Sequence, residues 1–397
     1  MSKPICLVTA PVATRSGYGA HSRDICRALI KLDRYDVKIW NVRWGSTPMN
    51  ALNKDDPNDK IIVDRLLQNA ELSKQPELHI HIVIPNEFNP MGKYNIGITA
   101  GLEMTACPPK WVEGMNRMNL NIVPSTFVKD TMNTIVFDIT DEQTKQKKGE
   151  LKNEKPIEVL FEGTDTNIFK KTNEFSKQLV DEMKNVEESF NFLYVGHWLQ
   201  GDLGKDRKDT GMMLKVFLET FKNMKKKPGL IMKTSGATFS VLDREQMLDK
   251  IKAIKETIEG DLPNIYLLHG DFEDEEMNQL YNHPKVKAHI TLTHGEGFGR
   301  PLLEASISQK PVIAPNWSGH VDFLHKDLAV LLDGSLQNVE RGSVPDDFLV
   351  DGSQWFTVNY QQASAVMKDV YKSYKKYTLN AKKLAIVNRS KFSLKAM

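Results

Sequence analysis

The chain has 397 residues, which is enough for two or three domains of ordinary size. Hydrophobic residues make up 40% and charged residues 26%, which excludes disordered, collagen-like and disulfide-stapled chains. The 53 Lys and Arg residues nearly balance the 51 Asp and Glu residues, so no global charge attracts nucleic acid or an anionic membrane. Any such partner must bind a local surface.

Short apolar runs alternate with helical patterns, which predicts parallel sheets with helices on both faces. The first series predicts strands at 5–10, 37–42, 78–84, 96–100, 122–124 and 157–161, and a helix at 20–32. The second predicts strands at 192–195, 230–234, 265–268, 288–292 and 311–315, and helices at 210–223, 243–259, 273–281 and 300–308. We therefore predict two doubly wound, Rossmann-like α/β domains, an exposed loop at 140–156, and final helices at 360–374 and 379–385. Ligands of such domains bind at the carboxyl ends of the strands, here across a cleft between the domains.

The cysteines and the first residues indicate the compartment. Cys6, Cys26 and Cys107 lie too far apart for a Cys-x-x-Cys clip, and their odd number argues for a reducing environment. The apolar run at 4–13 is short and soon broken by Arg15, unlike a signal peptide or a membrane span. We expect no transmembrane segment and a cytoplasmic location; the oligomeric state is not predicted.

The loop after the first strand contains Gly17 and Gly19. Two glycines let the backbone approach a ligand closely, and the amides of the following helix can meet an anion or a hydroxyl. The loop does not match a dinucleotide fingerprint, because Ser22 stands at the third glycine position. Ordinary turn chemistry is the alternative interpretation.

The most informative segment is 293–305, THGEGFGRPLLEA, between a predicted strand and a predicted helix. Its three glycines leave bare amides at a helix N-terminus, which suits a diphosphate. Glu296 lies in the loop and Glu304 one turn into the helix, so both carboxylates can accept hydrogen bonds from the paired hydroxyls of a sugar or a ribose. A glycine-rich loop with two solvated glutamates is the alternative.

This segment resembles the signature of two glutamates separated by seven residues in retaining nucleotide-sugar glycosyltransferases of family four, which have the GT-B fold. Other landmarks of that family follow in the same order along nearly the whole chain: VPS at 123–125, EGTDTNIF at 162–169, Val195-Gly196, Arg207-Lys208, and PVIA at 311–314 with Gly319 and Asp322. The resemblance implies an acceptor-side domain at 1–170 and a nucleotide-sugar-binding domain at 171–360, with helices at 361–397 packing back on the first domain.

The resemblance also implies roles for individual residues. Glu296 would lie against the donor sugar, Glu304 would hold the ribose hydroxyls, and Lys208 would neutralise the diphosphate as the sugar leaves. The other donor-side candidates are Arg207, His197, Gly297, Phe298, Gly299, Gly17 and Gly19. The acceptor-side candidates are Arg15, Ser16, Tyr18 and His21.

Two positions depart from the family pattern. His197 follows Gly196 where the family commonly has an arginine, so one phosphate contact is weaker or differently supplied. Glu103 lies near where the family often places a histidine, and it is our catalytic candidate for contacting the reacting sugar or the acceptor. A solvated helix-cap carboxylate is the alternative role for Glu103.

The sequence contains no Asp-x-Asp pair of the kind that metal-dependent transferases use. We therefore expect no metal and no cofactor beyond the nucleotide sugar as co-substrate, with Lys208 and helix amides acting in place of a cation. His79 and His81 share one face of a predicted strand, but without a third ligand they are better explained as core histidines.

The resemblance implies a retaining hexosyl- or pentosyltransferase that moves a sugar from a UDP-linked donor to an acceptor hydroxyl. The acceptor is a glycan or a hydroxymethylated base in DNA. Residues 15–43 carry seven basic and three acidic residues, so Arg15, Arg23 and Arg27 are candidates for a phosphate-tracking face; a solvated helix face is the alternative interpretation. Segments 16–29 and 43–52 also resemble, more weakly, glycosyltransferases carried by large tailed bacteriophages. A sugar-nucleotide epimerase and a non-catalytic sugar-binding relative are the competing classes.

Overall fold

The computed structural model describes residues 3–69, 72–236 and 238–397. Packing divides the chain into unit 1, Met1–Glu162, and unit 2, Gly163–Met397. The predicted division at residue 170 and the predicted packing of 361–397 on the first domain stay predictions. Among the described residues, no helix combines the length and the apolar character needed to cross a membrane.

Unit 1 contains one parallel sheet and a hairpin. Its strands are β1 (Ile5–Ala10), β2 (Asp36–Asn41), β3 (Leu78–Ile82), β4 (Tyr94–Ile98), β5 (Leu120–Val123), β6 (Val136–Thr140), β7 (Lys147–Lys152) and β8 (Ile157–Val159). Its helices are α1 (Gly17–Leu32), α2 (Pro57–Val63), α3 (Pro109–Asn116) and α4 (Thr126–Thr134), with a 3₁₀ turn at Pro85–Glu87. The sheet order is β2-β1-β3-β4-β5-β8, and every residue of β1 is buried, as expected of a strand covered on both faces.

The prediction of an irregular loop at 140–156 is wrong for its central part. Strands β6 and β7 form an exposed antiparallel hairpin in which Asp138 pairs directly with Glu150. Lys147 lies 2.7 Å from Asp138 and 2.8 Å from Glu150, so its ammonium offsets the repulsion between the two carboxylates. Because most of the hairpin is solvated, its sequence lacks the apolar alternation that marks a half-buried strand.

Unit 2 repeats the architecture. Its strands are β9 (Asn191–His197), β10 (Gly229–Ser235), β11 (Ile265–Leu268), β12 (Val286–Ile290), β13 (Val312–Pro315), β14 (Val330–Leu332), β15 (Gly334–Asn338) and β16 (Gln354–Val358). Its helices are α5 (Lys177–Lys184), α6 (Thr210–Phe221), α7 (Val241–Glu256), α8 (Asp274–Asn282), α9 (Arg300–Ile307), α10 (Tyr360–Lys372) and α11 (Tyr374–Lys391), with 3₁₀ turns at Gly319–Asp322 and Asp346–Phe348.

The strand order in unit 2 indicates where a ligand crevice is expected. The parallel sheet runs β11-β10-β9-β12-β13-β14, so the order reverses at β9 and β12. In open α/β sheets, ligands bind outside the carboxyl ends of the strands at such a reversal. Buried Phe192 and Tyr194 on β9 pack with Phe217 and Phe221 of α6 beneath this edge. This core holds the strand ends in place.

Candidate functional site

The glycine-rich segment of unit 2 has the predicted strand-loop-helix form. Strand β12 ends at Ile290, and α9 begins at Arg300 with a proline in its first turn. Gly299 precedes the helix with φ of +94°, a conformation that side chains rarely adopt. The ring of Phe298 is buried 5.0 Å from that of Phe323, so the part of Phe298 that remains for a ligand is its backbone.

Lys208 and Glu296 form the central ion pair of this loop. Lys208 Nζ donates to Oε1 and to Oε2 of Glu296 at 2.6 Å each, and both side chains are largely buried. Burial favours the neutral carboxyl, but the charges of Lys208 and Arg207 outweigh it, so the pKa of Glu296 lies below its ordinary value. The loop therefore presents an ionised carboxylate and an ammonium group at one place.

A turn after β13 fixes the backbone of Glu296. The Oγ of Ser318 accepts the Glu296 amide at 2.9 Å, and the amide of Gly319 donates to the Glu296 carbonyl at 2.9 Å. Ser318 has φ of +74°, a strained backbone of the kind that persists where surrounding contacts require it. His320, two residues after Ser318, is fully buried with Nε2 2.7 Å from the carbonyl of Pro315. The resemblance names Gly319 as a landmark, but the contact of this turn with Glu296, 22 residues away from Ser318, was not predicted.

Glu304 lies inside the first turns of α9 and is 9% exposed. Arg300 Nε donates to its Oε1 at 3.1 Å, and the hydroxyl of Tyr281 donates to its Oε2 at 3.3 Å. Burial raises the pKa of Glu304 to about 8, although Arg300 opposes the shift. Each carboxyl oxygen keeps further acceptor capacity, so the group can still receive hydroxyl donors. Tyr281 and Arg300 were not predicted, and no local sequence signal identifies Tyr281.

His197 and Arg207 complete the donor-side candidates. His197 ends β9 as an exposed residue, with Nδ1 3.2 Å from Ser235 Oγ. Desolvation of the ring, together with the positive charges of Arg207 and Lys208, lowers the pKa of His197. The carbonyl of Arg207 accepts the amide of His294 at 3.1 Å, which ties the loop before α6 to the glycine-rich loop. The predicted residues His197, Arg207, Lys208 and Glu296 are thus brought together.

Two buried aspartates shape the loop that carries Lys208. Asp206 Oδ2 accepts the amide of Thr210 at 2.8 Å, at the start of α6. Asp209 adopts φ of +50° and accepts the hydroxyl of Tyr360 at 2.7 Å. Neither aspartate was among the predicted site residues, although Asp206, which accepts an amide at the start of α6, is of a residue type that commonly caps helices.

In unit 1, the predicted loop begins α1. The Oγ of Ser16 accepts the amide of Gly19, and a Cβ on Gly19 would lie 2.2 Å from the carbonyl oxygen of Thr14. Glycine is therefore required at 19 by packing, whereas a Cβ on Gly17 would meet open space. Arg15 donates to the side chain of Asn50 at 3.2 Å.

Tyr18 connects this loop to the end of β4. Its hydroxyl lies 2.9 Å from Thr99 Oγ1 and accepts the amide of Ala100 at 3.0 Å. Burial raises the pKa of Tyr18, and the charges of Glu162 and Glu103 act in the same direction. Tyr18, Glu103 and Glu162 therefore lie close together, and Glu162 was not predicted as a site residue. His21 is buried one turn further along α1.

The basic residues of α1 make internal contacts. Arg23 donates to the carbonyls of Val12 and Thr14 at 3.0 and 2.9 Å. Arg27 donates to Asp59 at 2.6 Å and lies 3.6 Å from Asp24. These contacts already use part of the donor capacity that phosphate tracking would need.

No group of three His, Cys, Asp or Glu side chains among residues 3–69, 72–236 and 238–397 is arranged to hold a metal ion. His79 and His81 are buried in β3, and His79 Nε2 lies 2.9 Å from Thr9 Oγ1. Burial lowers the pKa of both histidines to about 4. Both are core residues, as the sequence predicts.

No protein-family model matches the chain, and no curated protein matches it in sequence. Solved structures match it along nearly its whole length. Sucrose-phosphate synthase from Thermosynechococcus elongatus is similar with a TM-score of 0.63 and 11% identity, covering 99% of this chain and 96% of that one. The Anabaena HepE protein in complex with UDP and glucose has a TM-score of 0.59 and 12% identity, covering 98% and 96%. A glycosyltransferase from Rickettsia africae has a TM-score of 0.59 and 14% identity, covering 100% and 96%. The predicted fold class is confirmed: the chain has the α/β GT-B fold.

Proposed function

We propose that this protein is a retaining glycosyltransferase that moves a sugar from a nucleoside-diphosphate sugar, UDP-linked, to an acceptor hydroxyl. The observation that carries the proposal is the buried contact of Lys208 with both oxygens of Glu296, at the start of a helix and at the carboxyl edge of the sheet. The similar structures support it, since HepE was solved with UDP and glucose and the Rickettsia protein is a glycosyltransferase.

In this proposal Lys208 stabilises the leaving group. The ammonium of Lys208 is held by both oxygens of Glu296, and we expect it to contact a diphosphate oxygen when the donor binds. The loop amides at 297–299 would add backbone donors at a helix N-terminus. Positive charge aimed at the diphosphate stabilises the negative charge that develops as the sugar departs.

Glu296 and Glu304 would bind different parts of the donor. Glu296 is held by Ser318 and Gly319 in the loop and would contact the sugar. Glu304, one turn into α9, would accept the two ribose hydroxyls while Arg300 and Tyr281 fix its orientation. We assign no covalent nucleophile: in same-face substitution the leaving diphosphate accepts the proton of the acceptor hydroxyl, and positioning supplies most of the rate.

We place the acceptor on unit 1, beside Tyr18 and Glu103, with Arg15, Ser16 and His21 on the same loop and helix. A glycan hydroxyl is the acceptor class that we favour, because Arg23 and Arg27 already donate to carbonyls and to Asp59. A hydroxymethylated DNA base is the second class, which the predicted basic stretch at 15–43 supports.

The test uses a panel of radiolabelled nucleotide sugars with free saccharides and with hydroxymethylcytosine-containing DNA as acceptors. We expect label in one acceptor from a UDP-linked donor, with the anomeric configuration of the donor kept in the product. The matched control is Lys205→Ala. Lys205 lies on the same loop as Lys208, but at the surface, where it pairs with Glu340. Lys205→Ala should transfer at the wild-type rate, and Lys208→Ala should not.

Two outcomes would replace this proposal. A donor sugar that changes configuration without any acceptor would indicate an epimerase. Binding of a nucleotide sugar without transfer to any acceptor, and without donor hydrolysis, would indicate a non-catalytic sugar-binding protein.

A further inference from the structure

The end of the chain is strongly basic, although the whole chain carries a net charge of only +2. Residues 372–397 contain eight basic and no acidic residues, and all eight are exposed. They are Lys372, Lys375, Lys376, Lys382, Lys383, Arg389, Lys391 and Lys395. In the described part of the chain, Lys376 alone among them pairs with a carboxylate, that of Asp369 at 3.6 Å. This segment therefore carries a concentrated local charge.

Helix α11 also exposes large apolar side chains between these cations. Leu379 is 60% exposed and Ile386 is 70% exposed. They are seven residues apart, which puts them two turns apart on one face of a helix, with Lys382 and Lys383 between them. The opposite face is buried through Ala381, Leu384, Ala385 and Asn388. The exposed face thus alternates basic and apolar groups along its length.

Lysines from other elements extend this surface. Burial, together with the charges of Lys287 and Lys382, lowers the pKa of Lys171. Burial, with the charges of Lys171 and Lys287, lowers the pKa of Lys310 to about 7. Lys171 thus repels Lys287, Lys310 and Lys382, and Lys287 Nζ lies 5.9 Å from the ring centroid of Tyr374, the first residue of α11. No described carboxylate pairs with Lys171, Lys287 or Lys382. Such a cluster is stabilised when anions bind it.

Lys287 and Lys310 lie at the opposite ends of their strands from the candidate donor site. Lys287 is near the start of β12 and Lys310 just precedes β13. Glu296 and Ser318 follow the ends of these same two strands. A partner bound beside Lys287 would therefore lie at the far end of these strands from the donor site.

We propose that this surface, formed by the exposed face of α11 with Lys171 and Lys287, binds a lipid bilayer that contains anionic lipids. The basic side chains would contact lipid phosphates, and Leu379 and Ile386 would enter the boundary between headgroups and acyl chains. Lysine stems can lie along the apolar layer while their ammonium groups stay among the headgroups. A nucleic acid would use the cations but would give the two exposed apolar residues no role. The proposal does not depend on the proposed transferase activity.

The test is co-sedimentation of the full chain with vesicles of phosphatidylcholine mixed with phosphatidylglycerol, and with vesicles of phosphatidylcholine alone. We expect binding to the mixed vesicles only, weakening as salt is added. Lys382→Glu with Lys383→Glu should weaken binding at least about 25-fold, the equivalent of two surface cations. The matched control is Lys252→Glu with Lys255→Glu, the same charge change on the exposed face of α7, which should bind as the wild type does.

A second pair of variants separates a bilayer from a nucleic acid. Leu379→Ser with Ile386→Ser keeps every charge and should weaken vesicle binding while leaving any binding to duplex DNA unchanged. All the substituted side chains are exposed, and circular dichroism should show an unchanged fold. The proposal is overturned if the wild type does not bind the mixed vesicles at low salt. It is also overturned if the α7 control weakens binding equally, or if DNA binds more tightly than vesicles and the serine variant changes neither.

Discussion

At the scale of single residues, the chemistry of the candidate site depends on which charge each buried group carries. Glu296 and Glu304 are both buried glutamates eight positions apart, yet their pKa values move in opposite directions. Lys208 contacts both oxygens of Glu296, whereas Arg300 contacts one oxygen of Glu304 and burial outweighs it. We therefore expect Glu296 to act as a fixed anion and Glu304 to lose a proton when it receives hydroxyl donors.

The Lys208 side chain should matter for turnover. In the proposed reaction, replacing it by alanine removes a preorganised charge from the leaving group, so kcat should fall about 100-fold, or ~3 kcal/mol. Glu296→Gln should also lower kcat with a smaller effect on KM, because the proposal has Glu296 contact the reacting sugar. Steady-state kinetics with a saturating acceptor measures kcat and KM for the two variants. Wild-type turnover in Lys208→Ala would show that Lys208 does not contact the diphosphate.

The Glu304 carboxyl should make nucleotide binding depend on pH. Ribose hydroxyls favour the ionised carboxylate, so binding lowers its pKa and releases a proton. With a pKa of about 8 in the empty site, affinity for UDP should rise from pH 7 to about pH 8 and then level off. The terminal phosphate of UDP loses its second proton near pH 6, below this range, so it does not account for the rise. Calorimetry in buffers of different ionisation heat measures how many protons are released when UDP binds. Glu304→Gln should abolish this release. An unchanged proton release in that variant would rule out Glu304 as its source.

At the scale of elements, the sequence predicts the turns, loops and helix starts that depend on residues close together in the chain. The glycines at 295, 297 and 299 and the proline at 301 predict a loop that opens a helix, and the structure has that loop. Contacts between distant positions are different: Lys208 meets Glu296 across 88 residues, and Tyr281 meets Glu304 across 23. No periodicity or spacing encodes such contacts, so the roles of Tyr281 beside Glu304 and of Ser318 beside Glu296 are seen only in the folded chain. The resemblance to a family identified Lys208, which composition and periodicity alone could not.

The conformation of the glycine-rich loop should show in a stability measurement. Gly299 has φ of +94°, and a Cβ there would lie 3.2 Å from His320 Cβ and 3.4 Å from Glu296 Cγ. Gly299→Ala should therefore lower the free energy of unfolding by about 1 to 3 kcal/mol. Gly17→Ala is the matched control, since its Cβ meets open space at the start of α1. Denaturant unfolding compares the two, and equal effects would contradict this view of the loop.

At the scale of the whole molecule, the alternation of apolar runs with helical patterns predicts the two parallel sheets, and the folded chain adds their strand order. Hairpin β6 and β7 was missed because its stability comes from charged pairs at the surface. The extra antiparallel pair β15 and β16 was not predicted either, and β15 is exposed along its whole length.

The proposed sugar transfer should work without a divalent metal. In that proposal, Lys208 and the amides at the start of α9 would supply the positive charge that a cation supplies elsewhere. Sugar transfer in the presence of excess EDTA should therefore keep most of its rate. Loss of activity in EDTA, restored by magnesium or manganese, would contradict this.

The central claim is that unit 2 binds a nucleoside-diphosphate sugar through Glu304, Lys208 and the glycine-rich loop. Isothermal titration calorimetry of the full chain with UDP tests it most directly. We predict saturable binding by the wild type and by Lys205→Ala, and binding at least about tenfold weaker in Glu304→Ala, the equivalent of ~1.4 kcal/mol. Equal affinity in the wild type and in Glu304→Ala, or no binding of UDP by the wild type, would contradict the account.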